Sequence, residues 1–297
     1  MTNSIAVLMP GDMGHAIGKV LVNNGYDAIT CLNGRSKRTK LLAEGAGFKD
    51  LGSLDAVVET ASIILSILPP KVAINQAELI VKSMQKTGAK PIFVDCNAIS
   101  PTTVIRIANI VEAAGAQFID VGIIGLKPDG VGPGPRFYVS GVDTWAMEAL
   151  DGIGIQVKSI GSQVGRASAL KMCYAGLTKG TWSLHAAVLM AAEKHGLAVE
   201  LKDEFQYSQP QALSAMEVRT PRLPADSDRW IGEMEEISKT FSEVGVPSGF
   251  HEGAADIFRI LAKTPFSSET RENFDSKRTM KETIKSAANL LRKKHNI

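Results

Sequence analysis

The chain has 297 residues, of which 44% are hydrophobic and 22% are charged, and its formal net charge is +2. This length favours two domains, and the near-neutral charge argues against nucleic acid as a partner. We expect no secretory signal, because the N-terminus lacks a basic region and a long apolar region. We expect no membrane span, because no stretch reaches the roughly 18 apolar residues that a span needs. The widely spaced Cys31, Cys96 and Cys173 are expected to be buried free thiols, which favours a reducing compartment and a cytoplasmic protein.

Apolar segments that resemble strands alternate with helix-compatible segments through the first half of the chain. Strands are predicted at Ile5–Met9, Ala28–Leu32, Ser62–Leu68, Ile92–Asp95, Phe118–Val121 and Arg136–Ser140. Helices are predicted at His15–Asn24, Lys37–Glu44, Val72–Lys86 and Thr102–Ala114. Strands alternating with helices indicate an α/β fold with a doubly wound, mostly parallel sheet of the Rossmann type. We assign residues 1–160 to this domain, which is expected to bind a dinucleotide.

The pattern becomes helical after about residue 160. Long helical segments are predicted at Gly165–His195, Arg229–Val244 and Ser276–Lys294, the last capped by Asp275 or Ser276. Residues 161–297 are therefore predicted to form an all-helical domain, which would contribute to substrate binding and dimerisation.

A glycine-rich turn follows the first predicted strand. Gly11, Asp12, Met13 and Gly14 stand between that strand and a helix, where backbone N–H groups and the helix dipole can bind a pyrophosphate. Against the template G-x-G-x-x-G, the first glycine is replaced by Met9, which weakens the match. A glycine-rich turn that binds no ligand is the alternative.

The segment after the second predicted strand bears on the choice of nucleotide. An acidic residue near this position marks NAD, but here no carboxylate is present. Arg35, Ser36 and Arg38 instead offer guanidinium and hydroxyl donors, which suit the 2′-phosphate of NADP. NADP is therefore favoured and NAD stays possible. The alternative is a solvated helix start, in which Ser36 is the cap.

Several motifs together resemble the β-hydroxyacid dehydrogenases, relatives of 6-phosphogluconate and 3-hydroxyisobutyrate dehydrogenases. They cover roughly residues 5–180 and are similar to the motifs of that family in type and order. The matching segments are Gly11–Gly14, Asn33–Ser36, Ile67–Pro69, Asp95–Pro101, Phe118–Gly125 and Gly165 with Lys171. The second half resembles a poorly characterised branch with a divergent helical domain, through Arg229–Glu236 and Glu252–Ala255.

The resemblance implies which residues contact the cofactor and which perform the chemistry. Asn33, Leu68, Pro69 and Asn97 would contact the cofactor, although Asn97 is equally well explained as a turn residue. Lys171 would be the general acid and base that exchanges a proton with the substrate oxygen. Without the resemblance, an exposed helical lysine is the simpler interpretation of Lys171.

The chain also departs from the family at the expected substrate site. Ile124 occupies the place of the substrate-binding serine, with Gly125 after it, and Ala175 occupies the place of an asparagine. Tyr174 lies on the same side of the predicted helix as Lys171, and Lys179 lies within about 80° of it. Tyr174 is a candidate for a catalytic hydrogen bond or for packing. Lys179 is a candidate for binding a substrate anion or is simply solvated.

We therefore predict an NADP-dependent oxidoreductase that acts on a small β-hydroxy acid or a related alcohol or carbonyl compound. The alternatives are an NADPH-dependent imine reductase and a non-catalytic NADPH-sensing protein. The five histidines show no metal-binding spacing, so no metal is expected. A homodimer is expected from the resemblance.

Overall fold

The computed structural model describes residues 3–270 and 272–291. The chain divides into two compact units, Met1–Tyr174 and Ala175–Ile297. This division lies later in the chain than the domain boundary that we predicted after residue 160. Each unit has its own core and is described separately.

The first unit is built on one eight-stranded sheet. Its strands are β1 Ser4–Leu8, β2 Asp27–Thr30, β3 Lys49–Asp50, β4 Ile63–Ser66, β5 Ile92–Asp95, β6 Phe118–Ile124, β7 Arg136–Ser140 and β8 Gln156–Ser159. They lie in the order β3-β2-β1-β4-β5-β6-β7-β8. All neighbouring pairs are parallel except β6 and β7, which are antiparallel. The predicted doubly wound, mostly parallel sheet is confirmed, and its first six strands follow the Rossmann order.

Helices cover the sheet on both faces. They are α1 Gly14–Asn23, α2 Lys37–Gly45, α3 Leu54–Thr60, α4 Ala73–Thr87, α5 Pro101–Ala113 and α6 Trp145–Glu148. Side chains of β1 alternate between two buried clusters: Ala6 and Leu8 join one, while Ile5 and Val7 join the other. A strand that is apolar on both sides belongs in the middle of a covered parallel sheet, which explains the continuous apolar segments of the sequence.

In the first unit, the sequence interpretation missed two strands and two helices. The strands β3 and β8 stand at the two ends of the sheet order and are largely polar. The helices α3 and α6 have seven and four residues, which is too short for a clear helical periodicity. Short and polar elements do not produce the apolar patterns on which the prediction depended.

The second unit is helical, as predicted. The long helix α7 Arg166–His195 enters it from the first unit, and the chain continues through α8 Ala198–Ser208, α9 Pro210–Arg219, α10 Leu223–Glu243, α11 Gly249–Leu261 and α12 Met280–Asn289. Within residues 3–270 and 272–291, these helices lack the length and apolarity that crossing a membrane would require.

Two predicted helix starts in this unit are wrong. The helix α10 begins at Leu223, before Arg229. Pro224 is tolerated in its first turn, because N–H groups there have no hydrogen-bond partner within the helix. The helix α12 begins after Thr279, whose side chain forms a capping box with Glu282, so the cap is neither Asp275 nor Ser276. The predicted extension of this helix to Lys294 falls partly outside the described residues.

Candidate active site

The glycine-rich turn forms a tight reversal between β1 and α1. The N–H group of Gly11 donates to the carbonyl oxygen of Met9 over 2.6 Å. Met9 itself has φ of 55°, a left-handed conformation that normally favours glycine. The turn therefore keeps the backbone of a glycine at the position where the template has one, although the residue is methionine.

The start of α1 has the features of an anion-binding helix terminus. The helix has no side-chain cap and no acidic residue in its first turn. A Cβ atom added to Gly14 would lie 3.2 Å from both the Met9 carbonyl oxygen and a Val7 methyl group, so the turn packs closely there. At Gly11 an added Cβ would meet only the Met9 oxygen, at 3.9 Å, so this side of the turn is open to a ligand. This cradle suits a pyrophosphate.

A cavity of about 690 Å³ lies beside the turn, at the ends of β1 and β2. Its lining includes Met9, Cys31, Asn33, Arg35, Ser53 and Gln76. Two of these residues, Arg35 and Gln76, have a buried nitrogen, Nε and Nε2 respectively, without a hydrogen-bond partner within the described parts of the chain. Unsatisfied buried donors are rare in proteins, and here both line one cavity. They suit an incoming ligand that carries acceptor atoms.

Arg35 is the strongest candidate for a phosphate contact among the basic residues after β2. Burial lowers the pKa of its guanidinium, although the Cys31 thiol acts in the opposite direction. A partly desolvated cation gains more from an anion than a fully hydrated one does.

The other predicted cofactor residues after β2 form hydrogen bonds or ion pairs within the protein. Ser36 caps α2 and accepts a hydrogen bond from the Thr39 N–H group at 3.2 Å. Arg38 forms an ion pair of 2.5 Å with Asp12 of the glycine turn. The Asn33 amide donates to the carbonyl oxygen of Gly52. These contacts join the loop after β2 to neighbouring segments.

The predicted contacts after β4 and β5 are joined by Asn97. Its side-chain oxygen accepts from the Leu68 N–H group at 2.6 Å, just before Pro69. Its amide nitrogen donates to Ser66 at 3.0 Å and to Asp95 at 2.8 Å. Asn97 is buried and both of its amide hydrogens are used, so the structure gives it the geometry of a residue that fixes the loop after β4. Burial raises the pKa of Asp95 to about 7, against the lowering effect of the bonds from Asn97.

Lys171 lies at the carboxyl end of β6, in the first part of α7. Its ammonium donates to the carbonyl oxygen of Ile123 at 2.5 Å. Ile124, the next residue and the last of β6, is buried, while Gly125 is exposed and has φ of +126°. Tyr174 is 48% exposed. The parallel strands end at this same edge of the sheet, where the glycine turn also lies, so Lys171 shares the ligand-binding edge of the fold.

Lys179 belongs to the second unit and forms a buried ion pair there. Its ammonium lies 2.7 Å from Glu233, which also accepts from Arg229 at 2.7 Å. Arg229 in turn contacts Asp226 at 3.0 Å. The positive charge of Lys179 is thus balanced within its own unit, which is the environment of a structural ion pair.

Two further expectations concern cysteines and metals. Cys31 and Cys96 are buried free thiols as predicted, but Cys173 is exposed, because it lies on an outward-facing side of α7. Across residues 3–270 and 272–291, no cluster of three or more His, Cys, Asp or Glu side chains is arranged to hold a metal ion.

The sequence interpretation missed three residues at this edge of the sheet. Gln76 was counted as part of an ordinary helix, although a polar residue within the buried stripe of α4 was a usable signal. Asp120 and Gly122 were read only as parts of a family motif. A carboxylate in the middle of an apolar strand was the available signal for Asp120.

Two family models match the chain. The NAD binding domain of 6-phosphogluconate dehydrogenase matches residues 4–153, and a domain of unknown function, DUF1932, matches residues 192–261. A curated relative from Methanothermus fervidus, an uncharacterised 28.5 kDa protein in the 7S RNA 5′ region, is 31% identical over 172 residues. The aligned region is 58% of this chain and 64% of the relative, so it spans less than two thirds of that protein.

Solved structures of several other proteins share the fold. The conserved protein MTH1747, of unknown function and similar in structure to 3-hydroxyacid dehydrogenases, is 26% identical with a TM-score of 0.62, over 87% of this chain and 96% of that one. The 3-hydroxyisobutyrate dehydrogenase of Mycobacterium tuberculosis is 20% identical with a TM-score of 0.62, over 96% and 99%. An imine reductase from Myxococcus stipitatus, in complex with NADP+, is 18% identical with a TM-score of 0.54, over 87% and 92%. The last two comparisons concern the fold alone.

Proposed function

This chain belongs to the β-hydroxyacid dehydrogenase family, with the NAD-binding domain of 6-phosphogluconate dehydrogenase, and from that premise we propose that it is an NADP-dependent oxidoreductase. It would transfer a hydride between nicotinamide and a small β-hydroxy acid or a related alcohol or carbonyl compound. The observation that carries this proposal is the position of Lys171, whose ammonium is bound to Ile123 at the ligand-binding edge of the sheet.

Lys171 would act as the general acid and base. The nicotinamide ring, when bound, supplies or accepts the hydride. During reduction the Lys171 ammonium would donate a proton to the carbonyl oxygen as negative charge develops there, and during oxidation its amine would take the alcohol proton. Tyr174 follows one helical turn later and is 48% exposed, and its hydroxyl would form a second hydrogen bond to the same oxygen.

The preference for NADP rests on Arg35. Its buried Nε atom lines the cavity at the end of β2, and a 2′-phosphate would supply the missing acceptor. Gln76, which lines the same cavity, would donate to a ring nitrogen or a hydroxyl of the same nucleotide. The glycine turn, with Asp12 and Met13 between Gly11 and Gly14, would bind the pyrophosphate.

A substrate panel tests the activity. Purified protein is assayed with NADP+ and β-hydroxy acids or alcohols, and with NADPH and the matching carbonyl compounds. Lys171→Ala should abolish turnover while thermal protection by NADPH remains. Turnover that persists in Lys171→Ala would remove the proposed role of this lysine. Protection without turnover of any compound would instead support the alternative of an NADPH-sensing protein.

Reduction of C=N bonds is the second candidate, and a specific feature favours it. The buried Ile124 replaces a polar residue that the family uses for its substrates, so an apolar imine would meet fewer unsatisfied polar groups. Cyclic imines with NADPH belong in the same panel. Turnover of imines without turnover of carbonyl compounds would decide for this candidate.

We propose in addition that the protein is a homodimer in the cytoplasm. Leu177 and Leu184 of α7 are 76% and 49% exposed, and large exposed apolar side chains favour association. The exposed free thiol of Cys173 suits a reducing compartment. Light scattering of the wild type and of Leu177→Asp tests the dimer: a dimeric wild type and a monomeric variant are expected.

A further inference from the structure

Strand β6 presents one face to the first turns of α7. Its side chains alternate, and Ile119, Val121 and Ile123 lie in a buried apolar cluster on one side of the sheet. Asp120, Gly122 and Ile124 therefore face the other side. This second face contacts α7 at two places along the helix, one helical turn apart.

Asp120 binds the N-terminal end of α7. One carboxylate oxygen accepts from the N–H groups of Gly165 at 2.9 Å and Ser168 at 3.1 Å, and from the Ser140 hydroxyl at 3.0 Å. The other accepts from the Ser168 hydroxyl at 2.7 Å. The Ser140 oxygen also accepts from the Ala167 N–H group at 3.1 Å. Donors that have no partner within the helix are thus satisfied by one buried carboxylate and its neighbour.

Gly122 allows α7 to approach the strand. A Cβ atom at this position would lie 2.5 Å from the Ala167 carbonyl oxygen and 3.0 Å from the Lys171 Cβ atom. Backbone cannot yield as a flexible side chain can, so a larger residue would displace the helix. The close approach of α7 to β6 at Gly122 thus involves the turn that carries Lys171.

The two contacts fix the position of the lysine. Ser168 and Lys171 are three residues apart, so they lie on the same side of α7 in successive turns. Asp120 sets the end of the helix, Gly122 sets its distance from the strand, and the Ile123 carbonyl oxygen then receives the ammonium at 2.5 Å. We propose that Asp120 and Gly122 are positioning residues for Lys171. This inference rests on the proposed function only in treating Lys171 as the catalytic acid and base.

Chemical labelling of Lys171 tests the positioning without any substrate. The full-length protein is treated with trace acetic anhydride, and mass spectrometry compares the acetylation of Lys171 with that of the other lysines. In Gly122→Ala the bond to Ile123 should be lost, and the relative reactivity of Lys171 should change by about tenfold or more, as expected for one lost hydrogen bond of a charged group. Asp120→Ala should have the same effect.

A conservative variant and a control separate positioning from general stability. In Asp120→Asn the side-chain oxygen can accept the Gly165, Ser168 and Ser140 donors, and the amide can donate to the Ser168 hydroxyl, so wild-type reactivity should return. Gly18→Ala also introduces a clash, between its Cβ atom and the Phe48 ring, but away from β6, and should leave the reactivity of Lys171 unchanged. If Asp120→Ala does not fold, the reactivity of Lys171 in Gly122→Ala and in the milder variant Ser140→Ala tests the positioning role.

The outcomes distinguish this inference from the proposed function. Unchanged Lys171 reactivity in folded Gly122→Ala and Ser140→Ala would overturn the positioning role. Changed reactivity in a protein that turns over no substrate would uphold the positioning and count against the proposed activity. Where turnover is found, kcat should fall about 10- to 100-fold in Gly122→Ala, as expected for a small displacement of a catalytic group, while the KM for NADPH stays constant.

Discussion

Replacing Arg35 by methionine should weaken NADPH binding much more than NADH binding. The buried Nε atom has no acceptor within the described residues, so a 2′-phosphate would gain a hydrogen bond to a charged group without displacing an existing one. Such a bond contributes about 1.5–3 kcal/mol. Because the guanidinium is only half-buried, solvent screens part of this energy, and the lower half of the range applies. The dissociation constant for NADPH should therefore rise about 10- to 40-fold.

Isothermal titration of each variant with NADPH, NADH and adenosine 2′,5′-bisphosphate measures the effect. The bisphosphate lacks nicotinamide, so it reports the adenosine half alone. Lys37→Met is the matched control, because Lys37 is an exposed cation in the first turn of α2, outside the cavity lining. Equal losses for NADPH and NADH in Arg35→Met, or a loss as large in Lys37→Met, would refute the reasoning.

Three further predictions concern stability and are measured by urea unfolding. Met9→Gly should be more stable than Met9→Ala by about 1 kcal/mol, because both lose the methionine side chain and only glycine relieves the left-handed backbone; the reverse order would contradict the strain. The Asp95 pKa is raised to about 7 in the fold from an ordinary 3.8, so its contribution to stability is present below pH 4 and lost as pH rises towards 7. The wild type should lose up to ~4 kcal/mol more than Asp95→Asn over this range, and parallel pH profiles would contradict the burial effect. Lys179→Met should cost roughly 3 kcal/mol by leaving Glu233 less well paired, without changing cofactor binding. If Lys179→Met left the free energy of unfolding unchanged but weakened substrate binding, Lys179 would instead be assigned to the substrate site.

The general fold was predictable because its signals are local. Apolar strands such as Ile63–Ser66 are buried on both faces, and that condition leaves a continuous apolar run in the sequence. Proline and glycine marked the ends of the helices that follow. The start of α10 was not predictable in this way, because Pro224 is compatible both with a break and with a first helical turn.

The sequence suggested candidate residues for the site but could not give their contacts. The absence of an acid and the presence of Arg35 after β2 indicated the kind of nucleotide, but sequence could not say that Ser36 and Arg38 are engaged with Thr39 and Asp12. Those bonds depend on distances between segments that are far apart in the chain. For the same reason Lys179 was interpreted from its helical position alone, whereas its environment is decided by Glu233 on another helix.

The sheet ends in two strands that discourage growth by addition of further strands. At one edge, β3 consists only of the exposed Lys49 and Asp50, and at the other, β8 exposes Lys158 and Ser159. Short edges with charged side chains offer a poor template for the backbone of another molecule. The apolar strands inside the sheet, which on their own have the composition of aggregating segments, are thereby kept from intermolecular pairing in the folded protein. Variants that loosen β3 or β8 are therefore expected to aggregate before they lose their nucleotide site.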